Sequence, residues 1–201
     1  MDARRAVAVH EAGHAVVTSL LGLSVRRVTA QSDAEAANLG CCTFRTPLRP
    51  WESFVRETAP NNAEEWARAA RGAALWPAHE ARWRQLATRH VRSTLAGPLA
   101  QHRAGLATVE VDTSCAAEWD DAGWGSDRRA AVDLLCALET DDRIGEAFGC
   151  AVRETQALLA QPIIWRAVEA VASALARRAA VSGRAVRAII RQRAGESNAD
   201  A

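Results

Sequence analysis

Two histidines and a glutamate, His10, Glu11 and His14, stand inside a stretch that otherwise reads as an apolar helix. Residues 2 to 21 contain no proline and one glycine, and they include Val7, Val9, Val16, Val17, Leu20 and Leu21. Such a segment favours an α-helix that ends near Gly22. Positions i and i+4 of a helix lie one above the other, so the two imidazoles share a face. Their place at the edge of the valine cluster turns that face inward. Ala12 and Gly13, both small, leave room for a second backbone to pack against the site.

Two imidazoles so placed reach one Zn²⁺ at about 2.0–2.1 Å. Glu11, one residue on from His10, leans beside the metal rather than ligating it, the place of a general base. A catalytic zinc needs a third protein ligand and an open position. The chain therefore has to fold so that a distant residue meets the histidine pair. The pattern H-E-x-x-H-x-x-G-x-x-H fails, because Val17 and Leu20 occupy the glycine and third-histidine positions. Glu35 is available but lies in a short polar connection, and Asp112 and Asp121 lie in an acidic loop. Asp127 follows Gly125-Ser126 at the start of a new helix, where the dipole favours a carboxylate. On spacing alone a plain helix-start residue is the favoured reading.

All 25 basic residues are arginine, and the chain has neither lysine nor tyrosine. Without lysine there is no Walker A loop, no Schiff-base chemistry and no Ser-Lys dyad. The 25 basic and 24 acidic residues nearly cancel and alternate along the chain, which argues against nucleic acid as a partner. The longest apolar stretch near the N-terminus, Ala15 to Leu23, is too short to insert in a bilayer. Five cysteines without a C-x-x-C pair, two of them adjacent at Cys41-Cys42, read as reduced thiols in a cytoplasmic protein.

Apolar spacing predicts a single domain over 1–201, mainly α with a small pair of strands (Val25 to Thr29 and Leu39 to Phe44). Helices are expected over residues 63–105 with an interruption at Pro77, then over 126–140, 142–160, 163–180 and 183–193. In the third of these four, Trp165, Val168, Ala172 and Leu175 define one buried face. Residues 106–125 read as a loop and 195–201 as a polar tail.

His10-Glu11-Ala12-Gly13-His14-Ala15-Val16 resembles the zinc-binding helix of the FtsH family of ATP-dependent zinc proteases. The resemblance continues through Val25 to Thr29 and Leu39-Gly40, similar to two strands below that family's active site. Ser93 to Gly105 resembles its Gly-Gly-Arg-x-Ala-Glu-Glu helix, and Gly125-Ser126-Asp127 its third-ligand segment. Pro162, Trp165, Val168, Glu169, Leu175, Gly183 and Val186 resemble its C-terminal helix pair. This order covers nearly the whole chain. It implies a helical, zincin-like peptidase domain binding one Zn²⁺ through His10, His14 and Asp127, with Glu11 as general base. Gln101 and His102 stand where the family has two glutamates, and Gln101 is expected to bond a ligating imidazole. Leu39, Gly40, Cys41 and Cys42 fall on the strand that would bind substrate backbone. Residues 47–90 form a longer segment than the family's and hold four of the seven tryptophans.

The expected activity is therefore zinc-dependent endopeptidase cleavage of peptides or unfolded proteins, unaffected by ATP. A separate ATPase subunit or a second copy of the chain are the expected protein partners. The competing expectation is a non-catalytic scaffold that binds peptides or docks on an ATPase. The intact Glu11 favours the enzyme.

Overall fold

Helix α1 (Ala3–Leu20) forms where the apolar stretch places it, and it ends through Gly22. That glycine has φ +76°, and the Leu23 amide reaches back to the Thr18 carbonyl at 3.0 Å. A left-handed residue of this kind closes a helix at little cost only when it lacks a Cβ. The computed structural model describes residues 3–30, 41–45, 76–106, 125–136 and 138–199. The elements after α1 are β1 (Ser24–Thr29), β2 (Cys41–Arg45), α2 (Trp76–Arg103) and α3 (Gly125–Cys136). They are followed by α4 (Asp141–Ala160), α5 (Pro162–Arg177), β3 (Ala180–Ser182) and α6 (Gly183–Ala199). The protein is mainly helical with one small antiparallel sheet.

Eleven of the eighteen residues of α1 are buried, from Val7 to Thr18 and on more than one face. A helix apolar on most sides has to be enclosed. Here α2, α5, α6 and β1 all pack against it. The shared core runs from Val16 and Val17 to Leu95 on α2, Phe148 and Val152 on α4, and Val168 and Leu175 on α5. Of the four residues expected on one face of α5, Val168, Ala172 and Leu175 are buried. Trp165 is half-buried at the margin, with the Arg103 guanidinium 4.6 Å from its ring centre.

The sheet order is β2-β1-β3. β1 pairs antiparallel with β2 (Val28 opposite Cys42, Thr29 opposite Cys41), as the sequence predicts. It also pairs with β3 through Arg27–Ser182 and Thr29–Ala180, which the sequence does not predict. Three residues are too few to show a period of two. β3 exists because the turn between α5 and α6 runs beside β1. Pro77 is the second residue of α2, where its missing N–H is not needed, and residues 63–75 before it lie outside the described residues. Two other expectations are corrected. The helices expected over 126–140 and 163–180 stop at Cys136 and Arg177. The predicted tail continues α6 to Ala199. Most of the Trp-rich 47–90 segment, Leu39 and Gly40, and the loop from 107 to 124 lie outside the described residues.

Among the described residues no single helix is long and apolar enough to cross a membrane. α4 and α5 pass such a test only together, across an 83° bend at Pro162, and Val152, Leu159, Ile164 and Val168 are spent on the core.

His90 on α2 is buried, and burial pushes its pKa down to about 4 from 6.5. The unfolded chain therefore takes up a proton at pH values where the folded chain does not. Stability is unaffected above pH 6.5 and falls as the pH drops from 6.5 to 4. The loss reaches about 3 kcal/mol at the lower end. Replacing His90 by Gln should flatten that limb in urea melts of the chelator-treated chain, leaving a smaller stability difference between pH 7 and pH 4 than in the parent.

Candidate metal centre

Three side-chain atoms from two distant elements meet at one point. His10 Nε2 and His14 Nε2, one helical turn apart on α1, are 2.9 Å from each other. Asp127 Oδ2 lies 2.9 Å from the first and 3.2 Å from the second. Asp127 is in the first turn of α3, at the positive end of the helix dipole. The same turn gives the aspartate its direction into the face that α1 presents.

Each imidazole is gripped from behind by α2. His14 Nδ1 donates to the Ser93 carbonyl oxygen at 2.8 Å. His10 Nδ1 donates to Gln101 Oε1 at 3.0 Å, and the Gln101 amide nitrogen donates to the Ala6 carbonyl at 3.1 Å. That second bond fixes which way the Gln101 amide points, and so fixes the His10 tautomer. Both Nδ1 atoms carry hydrogens, so both Nε2 atoms of the neutral rings present lone pairs. Three lone-pair donors then converge with no hydrogen among them. Such a triangle calls for a cation at its centre.

Two nitrogens and a carboxylate oxygen suit a borderline metal ion. Bonds of about 2.0–2.1 Å span separations of this size. The group His10, His14 and Asp127 could therefore hold a metal ion. Burial by itself would raise the Asp127 pKa, but the contacts with His10 and His14, which become hydrogen bonds when a ring takes up a second proton, outweigh it and hold the carboxyl well below its usual range. Burial opposes charge on His14, and the Asp127 contact more than offsets this, so its pKa is raised. The carboxylate is thus ionised at any pH where the rings are free to ligate.

Glu11 is 6% exposed, and its Oε2 is buried without a hydrogen-bond partner among the described residues. Burial raises its pKa, against the attraction of His14 and His10 and with the repulsion of Asp127. A carboxylate oxygen left unpaired inside a protein calls for a partner, and a water held at an occupied site would be one.

The geometry brings together His10, His14 and Asp127, with Gln101 behind His10. Glu35, Asp112 and Asp121, the alternatives to Asp127, lie outside the described residues, as do Leu39 and Gly40. Cys41 and Cys42 are on β2, at the edge of the sheet as described. Two contributors escape sequence reasoning. Ser93 acts through its backbone carbonyl, which no side-chain pattern reveals. Gly97 lies where α2 passes over the imidazoles, and a Cβ there would fall 2.4 Å from His14 Nε2 and 2.8 Å from His10 Nε2. The signal was Gly97-Pro98 inside an otherwise helical run, a pair that helices avoid without cause.

No family model matches the chain, and no curated protein matches it.

Replacing Gly97 by Ala should cost metal affinity by about 10²-fold or more, because the new methyl occupies the space between the donor nitrogens. A competition titration against a zinc-binding dye measures it. Gly195, whose Cβ would meet nothing within 4 Å, provides the control: Gly195→Ala should bind as the parent does.

Proposed function

We propose that this chain is a zinc-dependent metalloendopeptidase with a helical, zincin-like fold similar to the FtsH peptidase domain. The observation that carries the reading is a buried Glu11 carboxylate, its Oε2 without a partner among the described residues, beside three converging ligand atoms. A structural metal site has no use for such a group, whereas hydrolysis by an activated water requires it. His10, His14 and Asp127 would hold the ion, with Gln101 and the Ser93 carbonyl orienting the two rings. When bound, zinc supplies Lewis acidity, polarising a scissile carbonyl and bringing the pKa of a water toward 7.

Glu11 does the proton work. Its Oε2 accepts the proton of the attacking water and passes it to the leaving amine. A pKa raised by burial makes the carboxylate a stronger base than an exposed glutamate. An extended substrate would lie along Leu39 to Cys42, continuing the sheet through main-chain hydrogen bonds. Peptides and unfolded proteins fit such a site, and ATP has no role in the isolated chain. A separate ATPase subunit or a second copy would extend its reach to folded substrates. Among the described residues Cys150 is a free thiol, consistent with the cytoplasmic setting that this reading assigns.

Glu11→Gln separates the chemistry from the site. The variant should retain one zinc per chain by elemental analysis and keep the parent's thermal stability. Its cleavage of unfolded casein should fall by about 10²–10⁴-fold. Equal cleavage by parent and variant would remove Glu11 from its role, and a parent that binds zinc without cleaving would establish the scaffold instead.

A further inference from the structure

Charge is distributed less evenly than the chain total suggests. Between Glu169 and Glu196 there are six arginines and no acidic residue, which leaves 19 basic and 24 acidic residues for the rest. The alternation of acids and bases that argued against nucleic acid therefore fails over this stretch. Arg184, Arg187 and Arg191 fall at i, i+3 and i+7 of α6, a single stripe, and all three are exposed. The opposite face carries Val186, Ile189 and Ile190, which pack on the core. At the foot of the stripe, Gly183 lies against the Val25–Arg26 backbone, and Ser182 pairs with Arg27. Arg26 and Arg27 are exposed there too.

A row of arginines on a helix is ordinarily a solvated face with acids interleaved. α4 shows that pattern, with Asp142, Arg143, Glu146, Arg153 and Glu154. The α6 face differs, because Arg184, Arg187 and Arg191 form no ion pair or hydrogen bond among the described residues. Like charges at this spacing repel by a few tenths of a kcal/mol per pair. An external polyanion relieves that repulsion.

We propose that the α6 stripe and the adjoining end of β1 bind the phosphate backbone of double-stranded nucleic acid without reading its sequence. The stripe is about 10 Å long at 1.5 Å per residue, the rise of about three nucleotides along one strand. Residues 170–195 contain no aromatic side chain, so the α6 stripe offers no platform on which unpaired bases could stack. Firm docking on an anionic membrane adds buried apolar side chains to the cations. Leu20, on α1, is the one large exposed hydrophobic residue among those described, and the α6 isoleucines are committed to the core. A duplex backbone fits what remains.

The test is the fluorescence anisotropy of a labelled 20-base-pair DNA duplex, titrated with the zinc-loaded full chain at several salt concentrations. The parent should bind with a Kd on the order of 10⁻⁵ M at 100 mM salt, and the affinity should fall steeply as salt rises. R184A/R187A/R191A together should weaken binding at least about tenfold and reduce the salt slope by about 3, near 0.9 per lost phosphate contact. Lysine at the same three positions should restore binding, and the duplex should outcompete a single strand of equal length. Zinc affinity, measured alongside, should be the same in every variant. If the alanine variant loses its zinc, glutamine at the same positions carries the comparison. The proposal is overturned if the parent shows no saturable duplex binding, or if neutralising the stripe changes neither affinity nor slope. Tighter binding to vesicles containing phosphatidylserine than to the duplex would overturn it equally.

Discussion

The candidate metal centre depends on how closely α1 and α2 approach where they cross. At Gly13 a Cβ would lie 2.5 Å from the Ala96 carbonyl oxygen and 2.7 Å from the Ala100 methyl. At Gly97 it would reach the imidazole nitrogens of the site itself. Glycine on each side of the crossing, flanked by alanines, lets the two backbones come within reach of each other's polar groups. That reach allows the Ser93 carbonyl and the Gln101 amide, both on α2, to hold rings that belong to α1. A larger residue at either glycine would separate the helices and leave both Nδ1 atoms without acceptors.

Placing ionisable groups in an enclosed helix carries a cost, and the structure shows how it is offset. His14 is satisfied by the Ser93 carbonyl on one nitrogen, and its other nitrogen faces Asp127 at the candidate site, where an ion would take its lone pair. Thr18, one turn further along α1 and also buried, bonds the Ser93 hydroxyl. One residue of α2 thus serves two consecutive turns of α1. Glu11 is the group for which the described residues provide no equivalent arrangement. An unsatisfied buried carboxylate costs more than a neutral group in the same position. The proposed catalytic role accounts for that exception.

Much of this was legible in the sequence because helices announce themselves by period and punctuation. Gly22 and Pro162 fall at real boundaries, and the apolar spacing of α1 and α5 corresponds to buried faces. The histidine pair was legible for the same reason, since one helix sets its spacing. Asp127 was different. It lies 113 residues from His14, and nothing local separates a ligand from an ordinary helix-start aspartate. β3 was invisible because its pairing with β1 is tertiary. The α6 stripe was obscured by a chain-wide charge balance that averages over opposite local excesses.

X-ray absorption at the zinc edge, on the zinc-loaded parent and on Asp127→Ala, tests the central claim most directly. The expected result is a first shell of nitrogen and oxygen at about 2.0–2.1 Å, with scattering from two imidazoles, and loss of one oxygen ligand in the variant. A sulfur shell at about 2.3 Å, or a first shell unchanged by the loss of Asp127, would contradict it.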